Sequence, residues 1–154
     1  MPETRQFCTF YLGNEFFGVD VQKVQEVLRY QTQTRVPLAP STVRGLINLR
    51  GQIVTALDLR CRLGMGKPDK EILPINVIVR TGDGAVSLLV DEIGDVVEVT
   101  DQDFEPPPET VTGIARELIT GTYKLEDQLL LILDTDKTVN LEHLLTDQTL
   151  NDNI

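Results

Sequence analysis

Gly45-Leu46-Ile47-Asn48-Leu49-Arg50-Gly51-Gln52-Ile53-Val54-Thr55-Ala56-Leu57-Asp58 is two mostly apolar arms around a polar, glycine-bearing break. The arms are short and rich in branched residues, which favours two strands over one helix, and Arg50-Gly51-Gln52 favours a hairpin between them. A second copy lies 76 positions on, from 45 to 121: Gly121-Thr122-Tyr123-Lys124-Leu125-Glu126-Asp127-Gln128-Leu129-Leu130-Leu131-Ile132-Leu133-Asp134. Aligned without gaps, the windows share Gly, Leu, Gln, Leu and Asp, five identities in fourteen. Average composition would give roughly one by chance, so the chain contains an internal duplication.

Upstream of the first copy, Phe7 to Leu12 reads as a strand, Gly13-Asn14 as a turn and Glu15 to Val19 as the returning strand. Asp20 is placed to cap a short helix or turn, on which Val21, Val24, Val27 and Leu28 would form one apolar stripe at helical spacing. Arg29 to Val36 reads as extended, and Pro37-Leu38-Ala39-Pro40 cannot lie inside a regular element. Downstream, Leu59 to Leu63 reads as a helical turn stopped by Gly64, and Met65 to Glu71 as a polar link.

The same order then recurs. Ile75 to Arg80 and Ala85 to Val90 read as paired strands around Thr81–Gly84. The stretch Val90 to Val99 echoes Val19 to Val27 if one residue is inserted. Glu105-Pro106-Pro107-Pro108-Glu109 is a stiff, polyproline-like loop. Lys137 to Leu145 reads as a helix, and 146–154 as a polar tail that frays. The repeats thus span about 7–64 and 75–145 within one domain, 1–145.

Many short strands with turns every eight to twelve residues indicate an all-β fold with short helices. Closing each half removes exposed edges, so two small β-barrels with a cleft between them are expected. A chain of 154 residues buries enough surface to need no disulfide or metal. Cys8 and Cys61 are far apart and without CxxC spacing, which suits reduced, structural thiols and a cytoplasmic protein.

Composition excludes several chemistries. The net charge of −10, with 14 basic residues scattered among 24 acidic ones, opposes binding to nucleic acid or anionic lipid. His143 is the single histidine, so neither a proton shuttle nor a zinc site is readily assembled. Asp91-Glu92 and Asp101/Asp103 read as solvated turns, and Gly82-Asp83-Gly84 lacks the Lys-Ser/Thr of a phosphate loop. The expectation is no catalytic residue, no cofactor and no metal.

Val43-Arg44-Gly45-Leu46-Ile47-Asn48-Leu49-Arg50-Gly51-Gln52-Ile53-Val54 and Leu89-Val90-Asp91-Glu92-Ile93-Gly94-Asp95-Val96 resemble the two characteristic stretches of the chemotaxis coupling protein family, CheW. The resemblance covers about Arg5 to Leu145, with Thr55-Ala56 departing from the proline and aliphatic residue common there. It implies two SH3-like five-stranded barrels that exchange strand segments. It also implies a non-catalytic adaptor between membrane chemoreceptors and the chemotaxis histidine kinase. In such proteins the receptor's helical hairpin docks between the barrels, and barrel ends pair with the kinase's regulatory domain. Carried over by position, Val21, Val24, Val27 and Ile93 would line that groove, with Glu26 and Arg50 paired at its polar rim. A cytoplasmic protein gathered at membrane-bound receptor arrays follows.

Two other readings remain at this point. One is an adaptor for a related motility or pilus array, or of the type fused to a response receiver. The other is an OB-like oligonucleotide binder, which would need a basic groove with stacking aromatics.

Overall fold

Strand and turn residues alternate along the whole chain, and the computed structural model, which describes residues 3–68, 71–82 and 84–140, folds accordingly. β1 (Thr4–Leu12) and β2 (Glu15–Asp20) form the first hairpin. One 3-10 turn, Val21–Lys23, leads into β3 (Val24–Leu28). The opening stretch supplies β4 (Val43–Leu49) and β5 (Gln52–Asp58), followed by α1 (Leu59–Arg62). The second half gives β6 (Ile75–Thr81), β7 (Gly84–Val90), β8 (Glu92–Thr100) and β9 (Phe104–Glu105). It ends with α2 (Gly113–Leu118), β10 (Ile119–Lys124), β11 (Leu129–Leu133) and α3 (Thr135–Thr138).

The strands form two sheets, ordered β8-β1-β2-β11-β10-β9 and β3-β6-β7-β5-β4. Each sheet therefore takes its central hairpin from the other half of the chain. β2 pairs parallel with β11, and β7 pairs parallel with β5. The halves exchange equivalent hairpins, and the two strand orders are the same order repeated.

The ladders make the repeat quantitative. Gly45 pairs with Ala56 and Leu46 with Thr55; 76 positions on, Gly121 pairs with Ile132 and Thr122 with Leu131. A bulge precedes both glycines, between Val43 and Gly45 and between Ile119 and Gly121. A Cβ on Gly45 would lie 2.7 Å from the Thr34 carbonyl oxygen, and one on Gly121 would lie 2.7 Å from that of Glu105. Both positions admit only glycine, because extended backbone crosses closely at each, Thr34 through an isolated bridge to Leu46 and Glu105 in β9. Asp58 caps α1 through the Cys61 N–H, and Asp134 caps α3 through the Lys137 N–H.

Three apolar clusters hold the fold. Leu28, Ile47, Leu49, Val54, Ile78 and Leu89 come from all five strands of one sheet and meet in one cluster, so that sheet curls around them. Phe7, Phe16, Val99, Tyr123, Leu130 and Ile132, from five of the six strands, form the corresponding cluster in the other. The largest cluster, including Phe10, Phe17, Val79 and Leu88, joins the sheets to each other. The enclosure expected of two barrels is thus present, although the ladders run from edge to edge without closing.

Four local expectations are corrected. The helical valine stripe is absent: after the 3-10 turn, Val24, Val27 and Leu28 lie in β3, where β-branched residues pack against β6. No inserted residue is needed in the echo. Phe10 pairs with Ile93 as Val79 pairs with Val24, and Phe7 with Val97 as Asn76 with Leu28, a constant offset of 69. α2 was not anticipated, although Gly113-Ile114-Ala115-Arg116-Glu117-Leu118 places Ile114 and Leu118 four apart. α3 is one turn, Thr135–Thr138, and residues 139 and 140 after it are not helical; the remainder of the expected helix, 141–145 with His143, and the tail 146–154 lie outside the described residues.

Candidate functional site

β3 is an edge strand with one free side, and a bulge sets which way its residues point. Val24 pairs with Val79 and Val27 with Val77, while Glu26 pairs with Ile78. Val77 and Val79 belong to the cluster between the sheets, whereas Ile78 belongs to the cluster inside the curled sheet. The register shift between Val24 and Glu26 therefore keeps Val24 and Val27 on one face, three residues apart, without a helix. Val24 packs against the inter-sheet cluster, and Val27 stays 42% exposed. This face is an apolar ledge extending from the core.

Arg50 stands at the other edge of the same sheet, in the two-residue turn between β4 and β5. Arg50 has φ 51° and Gly51 φ 86°, the pattern of a type I′ turn. Asn48 stabilises it by accepting the Gly51 N–H at 2.9 Å. This turn aims the guanidinium at β3, where Arg50 Nη2 donates to Glu26 Oε2. The hydrogen bond from Arg50, and then its charge, hold the Glu26 carboxyl below the usual carboxylate range. The Glu26 carboxylate raises Arg50 in turn.

The remaining residues of the expected groove divide. Ile93 lies on β8 in the other sheet, 38% exposed, at the position equivalent to Val24. Val21 sits in the 3-10 turn and borders a polar depression of about 440 Å³ lined by Thr4, Arg5, Gln6, Asp20, Gln22 and Glu98. Val96 was missed. It is the equivalent of Val27, shares the Ile93 face and is 56% exposed. The signal for it was the constant offset, which aligns Val24-x-x-Val27 with Ile93-x-x-Val96.

Asp91 has a structural role. Arg60 on α1 donates to it through Nη2 at 2.5 Å and through Nε, and both side chains are 14% exposed. Asp91 also accepts the Gly13 N–H at 2.7 Å, tying the first hairpin turn to the start of β8. Arg62 is buried and donates to the Thr138 and Lys137 carbonyls, binding α1 to the end of α3. Burial, then the Asp20 carboxylate, push the Cys8 thiol up, which leaves it protonated and unreactive at neutral pH. Among the described residues no group of His, Cys, Asp and Glu is arranged to hold a metal ion.

Known proteins resemble this chain in sequence and in fold. Residues 6–143 match the family model described as the CheW-like domain. The chain is 32% identical to the chemotaxis protein CheW of Klebsiella aerogenes over 140 residues, covering 91% of this chain and 84% of that one. It is also 32% identical to the CheW of Treponema pallidum, covering 92% and 86%. The crystal structure of the scaffolding protein TtCheW from Thermoanaerobacter tengcongensis superposes with a TM-score of 0.80 at 31% identity, covering 91% of this chain and 94% of that one.

Proposed function

This chain belongs to the CheW-like domain family, and from that membership we propose that it is a non-catalytic adaptor coupling membrane chemoreceptors to the chemotaxis histidine kinase. The observation that carries the reading is the edge of the five-stranded sheet. There an apolar ledge, Val24 and Val27, runs beside the Glu26–Arg50 ion pair. An amphipathic helical hairpin can lay an apolar ridge on such a ledge while the charged rim sets its register.

The groove of this adaptor comprises Val21, Val24, Glu26, Val27, Arg50 and Ile93, and it receives the cytoplasmic tip of the receptor. Barrel ends meet the regulatory domain of the kinase. The protein works in the cytoplasm at the receptor array; among the described residues no helix is long and apolar enough to cross a membrane. It acts as one domain over 1–145, with both repeats required, because each sheet borrows a hairpin from the other half.

The test is co-sedimentation with receptor-bearing membranes and purified kinase. The wild-type chain is expected to pellet with both and to raise kinase recovery. A folded wild-type chain that stays in the supernatant, with receptors and kinase both present, overturns the proposal.

A further inference from the structure

The turn that carries Arg50 differs from its counterpart in the second hairpin. Arg50 and Gly51 form a left-handed pair at φ 51° and 86°. Among the described residues only Leu38 and Arg50 take a positive φ without being glycine, so Glu126-Asp127, 76 positions on, turns with ordinary backbone. Lys124 holds the position equivalent to Asn48, and its ammonium pairs with Glu105 at 3.5 Å. That hairpin closes through its backbone, the Leu125 N–H donating to the Gln128 carbonyl at 2.9 Å. The scaffold therefore makes this hairpin without an asparagine and without a left-handed side chain.

Type I′ turns favour asparagine or aspartate before the glycine, because those side chains tolerate positive φ. Here the position is an arginine, whose β-carbon makes the left-handed region costly. Asn48 supplies the missing bias from two residues upstream. It is exposed in β4 between the buried Ile47 and Leu49, and it accepts the Gly51 N–H at 2.9 Å. That N–H belongs to the peptide bond that follows Arg50, so the contact fixes the plane on which Arg50 turns. Asparagine is a poor strand residue, and its place in β4 is explained by the turn rather than by packing. Asparagine and arginine occur together in the hairpin that reaches an edge strand, and the other hairpin has neither at these positions.

We propose that Asn48 is a positioning residue: it holds the peptide after Arg50 in the left-handed turn, keeps the guanidinium on Glu26, and so sets the charged rim before a partner arrives. It acts through Arg50 without touching the partner. That a receptor reads this rim rests on the adaptor proposal; that Asn48 sets it does not.

Asn48→Ala, Arg50→Ala and the two combined test this, each with a melting curve. In the free protein the Glu26 carboxyl, which Arg50 holds below 4.5, is titrated by NMR. Asn48→Ala should let it rise toward 4.5, as Arg50→Ala does, while the protein stays folded. Co-sedimentation with receptor-bearing membranes reads the consequence. Asn48→Ala should weaken binding by up to about fivefold, the range of an exposed charge pair, and cost nothing further once Arg50 is alanine. If Asn48→Ala fails to fold, Asn48→Val restores strand propensity without an acceptor and carries the same expectations. An unchanged Glu26 titration in the folded variant overturns the proposal. So does a full second loss of affinity in the double variant, which would set Asn48 against the partner itself. If the wild type does not bind receptors, the adaptor reading falls and the Glu26 titration alone decides the role of Asn48.

Discussion

Arg50 donates to Glu26 across the open seam of the five-stranded sheet, linking the β4–β5 turn to β3, its opposite edge. No backbone ladder joins those edges, so the ion pair does with side chains what a closed barrel does with its last strand pair. In the six-stranded sheet the equivalent positions are Asp95 and Glu126, two carboxylates that cannot pair. The duplication copied the scaffold and left this contact in one half only.

Arg50→Ala should leave the melting temperature nearly unchanged, because Arg50 is 66% exposed and exposed pairs contribute little. It should still impair assembly of the kinase–receptor complex, read by co-sedimentation. Arg50→Lys keeps the charge but loses the planar fork, so partial rescue is expected. A strongly destabilised Arg50→Ala protein would make the residue a structural part of its turn and remove it from the groove.

The same pair has a pH signature. The Glu26 carboxyl is lowered from 4.5 in the folded state, so the pair's contribution is complete above that unfolded value and is lost as pH falls through the lower folded one. Comparing wild type with Glu26→Gln, the stability difference should be flat from neutral pH to about 5 and shrink below 4.5. A difference that grows on acidification would contradict the assignment.

Val24→Asp places a charge on the ledge where a partner's apolar ridge would sit, and an unpaired charge is costly to desolvate. Receptor affinity should fall well over tenfold, the scale of a lost interface hot spot. Circular dichroism should remain that of a folded protein. Unchanged affinity in a folded variant would remove β3 from the receptor site.

Removing Asp91 should damage the fold instead. Asp91→Ala takes the carboxylate away from the largely buried Arg60 guanidinium, which keeps its Nη1 bond to the Gly66 carbonyl, and from the Gly13 N–H. Breaking one member of a buried pair costs about 3–5 kcal/mol, which denaturant titration would resolve. Loss of binding without loss of stability would show that Asp91 belongs to an interface.

The exchanged hairpins predict that neither half folds alone. A fragment of residues 1–68 lacks β6 and β7, which separate β3 from β5, and a fragment of 71–154 lacks β1 and β2. Each should be unfolded by circular dichroism, and mixing them should restore β structure. A half that folds cooperatively by itself would show that its sheet closes without the borrowed hairpin.

Much of this architecture was legible locally. Turn residues such as Gly13-Asn14 and Arg50-Gly51 set hairpin registers, and alternation set which residues face inward, because both depend on neighbours within a few positions. The duplication was legible because the same backbone crossing demands glycine at both 45 and 121. The valine stripe was misread as helical since residues 24 and 27, three apart, suit a helix face and equally a strand with a bulge at that point. Sequence spacing does not distinguish the two; the pairing of β3 with β6, some fifty residues away, does. Which hairpin completes which sheet was likewise settled only in three dimensions, whereas the Glu26–Arg50 pair was expected from the family resemblance and is present. Strand edges offer the same backbone groups to any partner, so the choice falls to burial of the shared core between the sheets, a property of the assembled chain.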